Sequence, residues 1–303
     1  MSGIGRGKTI LLGEHAVVYG HPALAASLSR GARAFVEPAE IDTLEVNAWG
    51  LRIHPDARAE HPLARAFQAL VDTYGARPEH YRVTLEIELP AGAGLGGSAA
   101  CGVAIADALS ERLGEPRTPE ENARRAMAWE RVFHGNPSGI DTAISAAGGA
   151  GLFTKKQGLS PIAIGETLHL VIADSGSRAS TKTMVEGLAA RREEDPARID
   201  AIFDRIASLV HEAARAIAEG DLEALGRAMD ENHAHLAELG LSTPALDEIV
   251  RTARAAGALG AKLTGSGGGG CAVVLARDAA HAESIRAALA AEGRFVEHFE
   301  VKG

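Results

Sequence analysis

The residues with the clearest chemical potential lie in a glycine-rich stretch, Pro90–Ala100, which reads PAGAGLGGSAA. Apolar residues alternate with polar ones at positions 83–89, and this pattern predicts a strand with one buried face. From Ser98 onward, small and apolar residues recur at helical spacing. The glycines therefore lead from a strand to a helix N-terminus, where unpaired backbone N–H groups favour a bound phosphate.

The same glycines match the dinucleotide-binding pattern at Gly92-x-Gly94-x-x-Gly97. That pattern requires a continuously apolar strand before the turn and an acidic residue about 20 residues later, at the end of the next strand. Here the strand alternates, and Glu111 and Glu115 fall in or just after the helix. Phosphate binding is therefore favoured over dinucleotide binding, and a turn that only lets strand and helix pack closely stays open.

Two carboxylates follow on predicted helices. A capping box at Thr118 predicts a helix from Pro119 to about Phe133, and Glu130 lies within its apolar stripe. A buried carboxylate is normally paired, protonated or bound to a metal. Asp141 falls in the first turn of the next predicted helix, where the dipole favours negative charge. It suits a residue that accepts a proton or holds an alcohol, and a capping role is the alternative.

Charged residues also stand between apolar runs near the start of the chain. Lys8 opens a short apolar strand, and Glu14 and His15 lie at the bend before a second apolar run. We interpret all three as facing a cleft, with a solvated turn as the alternative. The triplet at 7–9 is not a Walker A motif, because Ser2 occupies the position where glycine is required.

The remaining patterns concern the strands and loops that surround these residues. Apolar runs at 32–37, 43–47 and 51–53 predict an antiparallel meander. The hydroxyl-rich segment at 174–182 carries two cations and suits either an anion-gripping or a solvated loop. A second glycine-rich segment, 264–270, joins strand-like segments and so does not fit a dinucleotide site. We expect His233 and His235 at the surface.

Composition narrows the class of protein. The 303 residues carry a net charge of −9 without any basic run, which argues against a nucleic-acid or anionic-membrane surface. The two cysteines have no paired spacing, so neither a disulfide framework nor a zinc cluster is expected. Since no apolar run reaches about 18 residues and the N-terminus is unlike a signal peptide, we expect a cytoplasmic protein.

Three motifs, taken in order, resemble those of the GHMP small-molecule kinase family: residues 7–15, 90–98 and 262–271. Residues 13–20 and 134–141 resemble the branch of that family that phosphorylates mevalonate. The resemblance implies an α+β, two-domain GHMP kinase fold. A ribosomal protein S5 domain 2-like N-terminal domain would occupy 1–165 and a ferredoxin-like C-terminal domain 166–303, with ATP in the cleft between them.

The activity implied is ATP-dependent phosphorylation of the terminal (C5) hydroxyl of mevalonate, in isoprenoid precursor synthesis, with Mg²⁺ as the metal. The charge distribution already predicts no nucleic-acid or membrane partner, and a homodimer stays open. The resemblance assigns catalysis to Asp141 and Lys8; nucleotide binding to Gly92, Ala93, Gly94, Leu95, Gly96, Gly97 and Ser98; the metal to Ser98 and Glu130; substrate to Glu14, His15, Asp141 and Thr181; and support of the phosphate loop to Gly265, Ser266 and Gly267.

The sequence departs from the family pattern in places that bear on the substrate. Gly97 replaces the first of two serines, and Arg178 stands one place before the family's arginine, at whose position lies Ala179. A kinase acting on phosphomevalonate or another small alcohol therefore stays open, as does a catalytically silent nucleotide-binding paralogue. The presence of Lys8, Glu130 and Asp141 argues against the silent paralogue.

Overall fold

The structure is a computed structural model that describes residues 1–90, 92–135, 137–291 and 293–302. It divides the chain into two units. Unit 1 comprises Met1–Lys8, Ser27–Ala91 and Leu95–Gly148, and unit 2 comprises Thr9–Ala26, Gly92–Gly94 and Gly149–Gly303. Within the described ranges, no helix is long and apolar enough to span a bilayer.

Unit 1 combines a sheet with helices. Its strands are β1 (Ser2–Leu12, as far as Lys8), β2 (Ala23–Ala39, from Ser27), β3 (Thr43–Val46), β4 (Leu51–Ile53) and β5 (His80–Ile87), and its helices are α1 (Pro62–Asp72), α2 (Gly97–Leu113), α3 (Pro119–His134) and α4 (Ile140–Ala147). The alternation predicted for β5 is confirmed, with Tyr81, Val83 and Leu85 buried in the core. The helix predicted after the glycine-rich stretch is α2.

The predicted antiparallel meander is wrong. β3 pairs antiparallel with β4 but parallel with β5, and β5 lies between β3 and β2. The physical reason is the α1 helix, since a helical connection between β4 and β5 returns the chain to the sheet in the same direction as β3.

Close packing between α2 and α3 fixes the position of Glu130. A Cβ at Gly102 of α2 would lie 3.0 Å from the Trp129 ring of α3, so the glycine admits the indole. Thr118 caps α3 through its hydroxyl, which accepts a hydrogen bond from the Glu121 N–H at 3.2 Å. The predicted capped helix is confirmed and places Glu130 beside the start of α2.

Unit 2 holds the rest of β1 and β2 and a second, antiparallel sheet with its covering helices. Its further elements are β6 (Ala150–Thr154), β7 (Gly158–Ile162), β8 (Leu168–Asp174), α5 (Thr181–Glu194), α6 (Pro196–Glu219), α7 (Leu222–Glu238), α8 (Pro244–Ala255), β9 (Gly260–Thr264), β10 (Cys271–Ala276), α9 (Ala279–Ala290) and β11 (Val296–Val301). The second sheet has the strand order β11-β8-β10-β9, and apolar residues of its covering helices form the adjoining core.

Some elements differ from the sequence prediction. The strand predicted to open at Lys8 begins at Ser2, and α5 begins inside the segment expected to be a loop. The apolar run Ala16–Tyr19, for which no element was predicted, forms a 3₁₀ helix. The prediction that both histidines of α7 lie at the surface is wrong for His233, which is 7% exposed because α7 packs on β9. The second glycine-rich segment joins two strands, β9 and β10, as predicted, and the structure shows that they pair antiparallel.

Candidate active site

Lys8 and Asp141 form an ion pair in unit 1. The Lys8 Nζ lies 3.1 Å from Asp141 Oδ1, with the lysine side chain 7% exposed and the aspartate side chain 36% exposed. Asp141 stands in the first turn of α4, where the helix dipole favours a carboxylate. The pair therefore presents a partly accessible carboxylate held by a buried cation.

The glycine-rich turn packs directly against Lys8. The Lys8 backbone N–H donates to the Leu95 carbonyl at 2.9 Å. Gly96 has a φ of +73°, and a Cβ there would lie 2.6 Å from Lys8 Cγ. Only glycine satisfies both the left-handed backbone and the close approach of the lysine side chain. This turn thus places the lysine beside the N-terminus of α2.

Ser98 and Glu130 form the second pair of unit 1. The Ser98 hydroxyl donates to Glu130 Oε1 at 2.5 Å and accepts from the Trp129 indole N–H at 3.2 Å. Glu130 is 2% exposed, and His134 Nε2 lies 3.7 Å from its other oxygen. Burial raises the pKa of Glu130 against the opposing hydrogen bond from Ser98.

The chemistry of this second pair fits a hard cation. Mg²⁺ at phosphoryl-transfer sites takes one or two carboxylates together with substrate phosphates and water. Ser98 and Glu130 supply a hydroxyl and a buried carboxylate side by side at a helix N-terminus. Among the described residues, no group of three or more His, Cys, Asp or Glu side chains is arranged to hold a metal ion.

In unit 2, Glu14 points into the protein interior. It is 1% exposed, and the ammonium of Lys262 on β9 donates to its Oε1. Asn232 of α7 donates to its Oε2 at 3.2 Å. Burial lowers the pKa of Lys262, and the Glu14 carboxylate opposes that effect. Both carboxylate oxygens are thus engaged by the protein.

His15, Ser266 and Thr181 form a second group in unit 2. The His15 Nε2 lies 2.8 Å from the Ser266 carbonyl, and the Thr181 hydroxyl donates to the Ser266 hydroxyl at 3.3 Å. Burial lowers the pKa of His15, although Ser266 and Glu14 oppose it. The structure thereby brings together His15 and Thr181, two residues predicted to bind substrate, on either side of Ser266.

The turn between β9 and β10 also meets the first part of the phosphate turn within unit 2. The Cys271 thiol donates to the Ala93 carbonyl at 3.2 Å. Gly265 and Gly267 have φ values of +88° and +74°, which lets the backbone fold tightly before Cys271. Gly92 lies near Arg178, whose guanidinium forms two hydrogen bonds with Asp174, at 2.7 and 2.6 Å.

Sequence reasoning gave no role to several residues that shape these groups. His134 follows Glu130 by four residues on α3, so helical spacing alone would have placed the two side chains together. Lys262 lies within a recognised motif but carried no assignment. Asn232 reaches Glu14 from a distant part of the chain, and no local pattern marks it.

Comparison with known proteins defines the class. The family model for the GHMP kinases N terminal domain matches residues 61–149, and the model described as GHMP kinases C terminal matches residues 213–294. The chain belongs to the GHMP kinase family, whose members use ATP. The predicted family and its mixed α+β fold are thereby confirmed.

The similarity extends to one branch of the family. The chain is 38% identical to the mevalonate kinase of Thermococcus sibiricus and 35% identical to that of Pyrococcus furiosus, in each case over 89% of this chain and 87% of the relative. The crystal structure of L. major mevalonate kinase in complex with R-mevalonate superposes with a TM-score of 0.88 at 31% identity, covering 100% of this chain and 96% of that one.

Proposed function

We propose that this chain transfers the terminal phosphate of ATP to the C5 hydroxyl of mevalonate, giving 5-phosphomevalonate and ADP. The observation that carries the proposal is its 38% identity, over 89% of the chain, to a mevalonate kinase. The Lys8–Asp141 and Ser98–Glu130 pairs supply the groups that such a transfer requires.

Asp141 acts on the alcohol in this proposal. Its carboxylate accepts the hydrogen bond of the substrate hydroxyl and receives the proton as the new bond to phosphorus forms. Lys8 holds the carboxylate in place and stabilises negative charge on the transferred group. No covalent nucleophile is needed, because phosphoryl transfer depends mainly on positioning and electrostatic stabilisation.

The nucleotide phosphates lie along Gly92–Ser98, where backbone N–H groups at the start of α2 face them. Ser98 and Glu130 would hold Mg²⁺, which would neutralise negative charge on the phosphates. Burial raises the pKa of Glu130, and a cation beside it would stabilise its ionised form.

The substrate residues other than Asp141 lie in unit 2. His15 and Thr181 contact mevalonate, and Gly265–Gly267 support the phosphate loop through the β9–β10 turn. Glu14, which the resemblance also assigns to the substrate, is 1% exposed with both carboxylate oxygens bonded inside the protein, so in this proposal it supports His15 from the interior. We further propose domains at 1–165 and 166–303. The free, buried cysteines Cys101 and Cys271 suit the reducing cytoplasm.

The test is an ADP-release assay on the purified chain with mevalonate, phosphomevalonate, homoserine and galactose. We expect turnover with mevalonate that depends on Mg²⁺. Asp141→Asn is the matched control, because it keeps side-chain volume and removes the charge. Turnover of only one of the other three alcohols would contradict the substrate assignment, and an active Asp141→Asn enzyme would contradict the role of the carboxylate.

A further inference from the structure

We propose that Glu14, Lys262 and Asn232 form a positioning triad that holds the backbone at His15 in a strained turn and thereby sets the affinity for the alcohol substrate. The proposal rests on the proposed function and deepens it. None of the three residues needs to touch the substrate, because the triad acts through the turn that carries His15.

The strain lies in the backbone of His15. Its φ of 60° and ψ of −48° combine with a hydrogen bond from the Ala16 N–H to the Glu14 carbonyl at 2.7 Å. This is a γ-turn with positive φ, a rare and unfavourable geometry. Across the described parts of the chain, His15 is the only residue other than glycine with a positive φ. Such strain persists only where surrounding contacts enforce it.

The triad provides these contacts at Glu14, the residue directly before the strained His15. Lys262 is fully buried on β9 and donates to both Glu14 and the Leu263 carbonyl. Asn232, also fully buried, ties the same carboxylate to α7. Hydrogen bonds from both β9 and α7 thus hold the Glu14 side chain in place. A buried ion pair is weak evidence for stability in itself, so we infer that this one fixes geometry.

Hydrogen bonds connect His15 through Ser266 to Thr181, the other proposed substrate residue of this group. Since the Ser266 carbonyl can only accept, His15 Nε2 carries the proton and donates to it at 2.8 Å. The Ser266 hydroxyl in turn accepts a hydrogen bond from the Thr181 hydroxyl. A relaxed turn at His15 would therefore displace both side chains that the proposed function places against mevalonate.

The decisive variant is Glu14→Gln combined with Lys262→Met, which removes both charges together. Removing only one would leave the other buried without a partner. We expect kcat/KM for mevalonate to fall by about 100-fold, the scale of a misplacement near 1 Å. The effect should reside mainly in the KM for mevalonate, with the KM for ATP unchanged. The His15 imidazole signal, recorded on protein with ¹³C-labelled histidine and assigned by its loss in His15→Gln, should shift.

The matched control is His233→Gln. His233 follows Asn232 on α7, is 7% exposed, and accepts a hydrogen bond from the Leu263 N–H at 3.3 Å. It therefore occupies the same buried junction of α7 with β9. We expect this variant to lower the thermal midpoint while leaving the mevalonate KM and the His15 signal as in the wild type. A merely structural role for the triad would make the two variants behave alike.

Asn232→Ala provides a second route if the double variant does not fold. It removes one hydrogen bond and keeps the ion pair, so we expect a smaller rise in the mevalonate KM together with a shifted His15 signal. A folded double or Asn232→Ala variant with wild-type mevalonate KM and an unmoved His15 signal would overturn the proposal. A wild-type chain that does not phosphorylate mevalonate contradicts the proposed function instead, and the substrate-free His15 signal still tests the triad.

Discussion

Two lysine–carboxylate pairs in this chain have similar chemistry and different surroundings. The Lys8–Asp141 pair leaves its aspartate side chain 36% exposed, whereas Lys262 and Glu14 have side-chain exposures of 0% and 1%. A carboxylate that reacts with a substrate must be reachable, whereas the Glu14 carboxylate has both oxygens bonded inside the protein. Accessibility therefore separates the two roles more clearly than residue type does.

The largest expected effect comes from the accessible pair. Asp141→Asn should lower kcat by about 10²- to 10⁴-fold, the usual contribution of a positioned acid–base group, while ATP binding is largely kept. The measurement pairs steady-state ADP release with nucleotide binding by calorimetry. Loss of nucleotide binding would show that Asp141 acts mainly in folding or in ATP binding.

For the buried pair of Lys262 and Glu14, we expect the main effect of a substitution on the free energy of unfolding. Lys262→Met leaves the Glu14 carboxylate buried without its cation, and we expect the free energy of unfolding to fall by about 3–5 kcal/mol. Urea denaturation measures the change. Lys8→Met is the comparison variant, since Asp141 retains contact with solvent, and it should lose much less stability. Equal losses in the two variants would remove the distinction between the pairs.

Acid should weaken the same buried junction through His233, whose pKa is lowered from 6.5 to about 4 mainly by burial. Between these values the unfolded chain binds more protons than the folded one, so the free energy of unfolding falls as pH drops from 6.5 toward 4. The loss attributable to this group should approach about 3 kcal/mol. Denaturation of the wild type and His233→Gln across this range measures it, and identical pH profiles would exclude His233 as a cause.

The smallest stability effect is expected at Gly96, beside the accessible pair. An alanine there adopts a left-handed backbone and presses on Lys8, at a cost of about 1–3 kcal/mol. Because the added methyl group displaces Lys8 from its place beside Asp141, we expect kcat to fall even in the fully folded variant. Gly114→Ala is the matched control, since Gly114 also has a positive φ, +68°, no heavy atom lies within 4 Å of a Cβ there, and it lies outside the proposed site. Similar activity in the two variants would argue against tight packing of the turn on Lys8.

Local patterns predicted much of the first unit. The alternation of β5, the capping box of α3 and the burial of Glu130 each depend on residues a few positions apart, and each is confirmed. The buried face of α3 is less apolar than predicted, since it also carries Asn122 and Arg125. The order of strands was not predictable in this way, because the α1 connection decides which strands pair.

Long-range contacts account for what was missed in the second unit. Glu14 meets Lys262 and Asn232 across sequence separations of 248 and 218 residues. His233 was expected at the surface because the sequence offers no further metal ligands near it, yet it lies on the face of α7 that packs against β9. The family resemblance indicated the fold and the motifs, but only the structure identifies the hydrogen-bond partners of Glu14.

The most direct test of the proposed activity is ³¹P NMR of a reaction containing the purified chain, ATP, Mg²⁺ and mevalonate. We predict a new phosphate monoester signal that matches 5-phosphomevalonate and appears together with ADP. The signal should be absent when Asp141→Asn replaces the wild type. Release of inorganic phosphate without any ester of mevalonate would contradict the assignment of this chain as a kinase acting on the C5 hydroxyl.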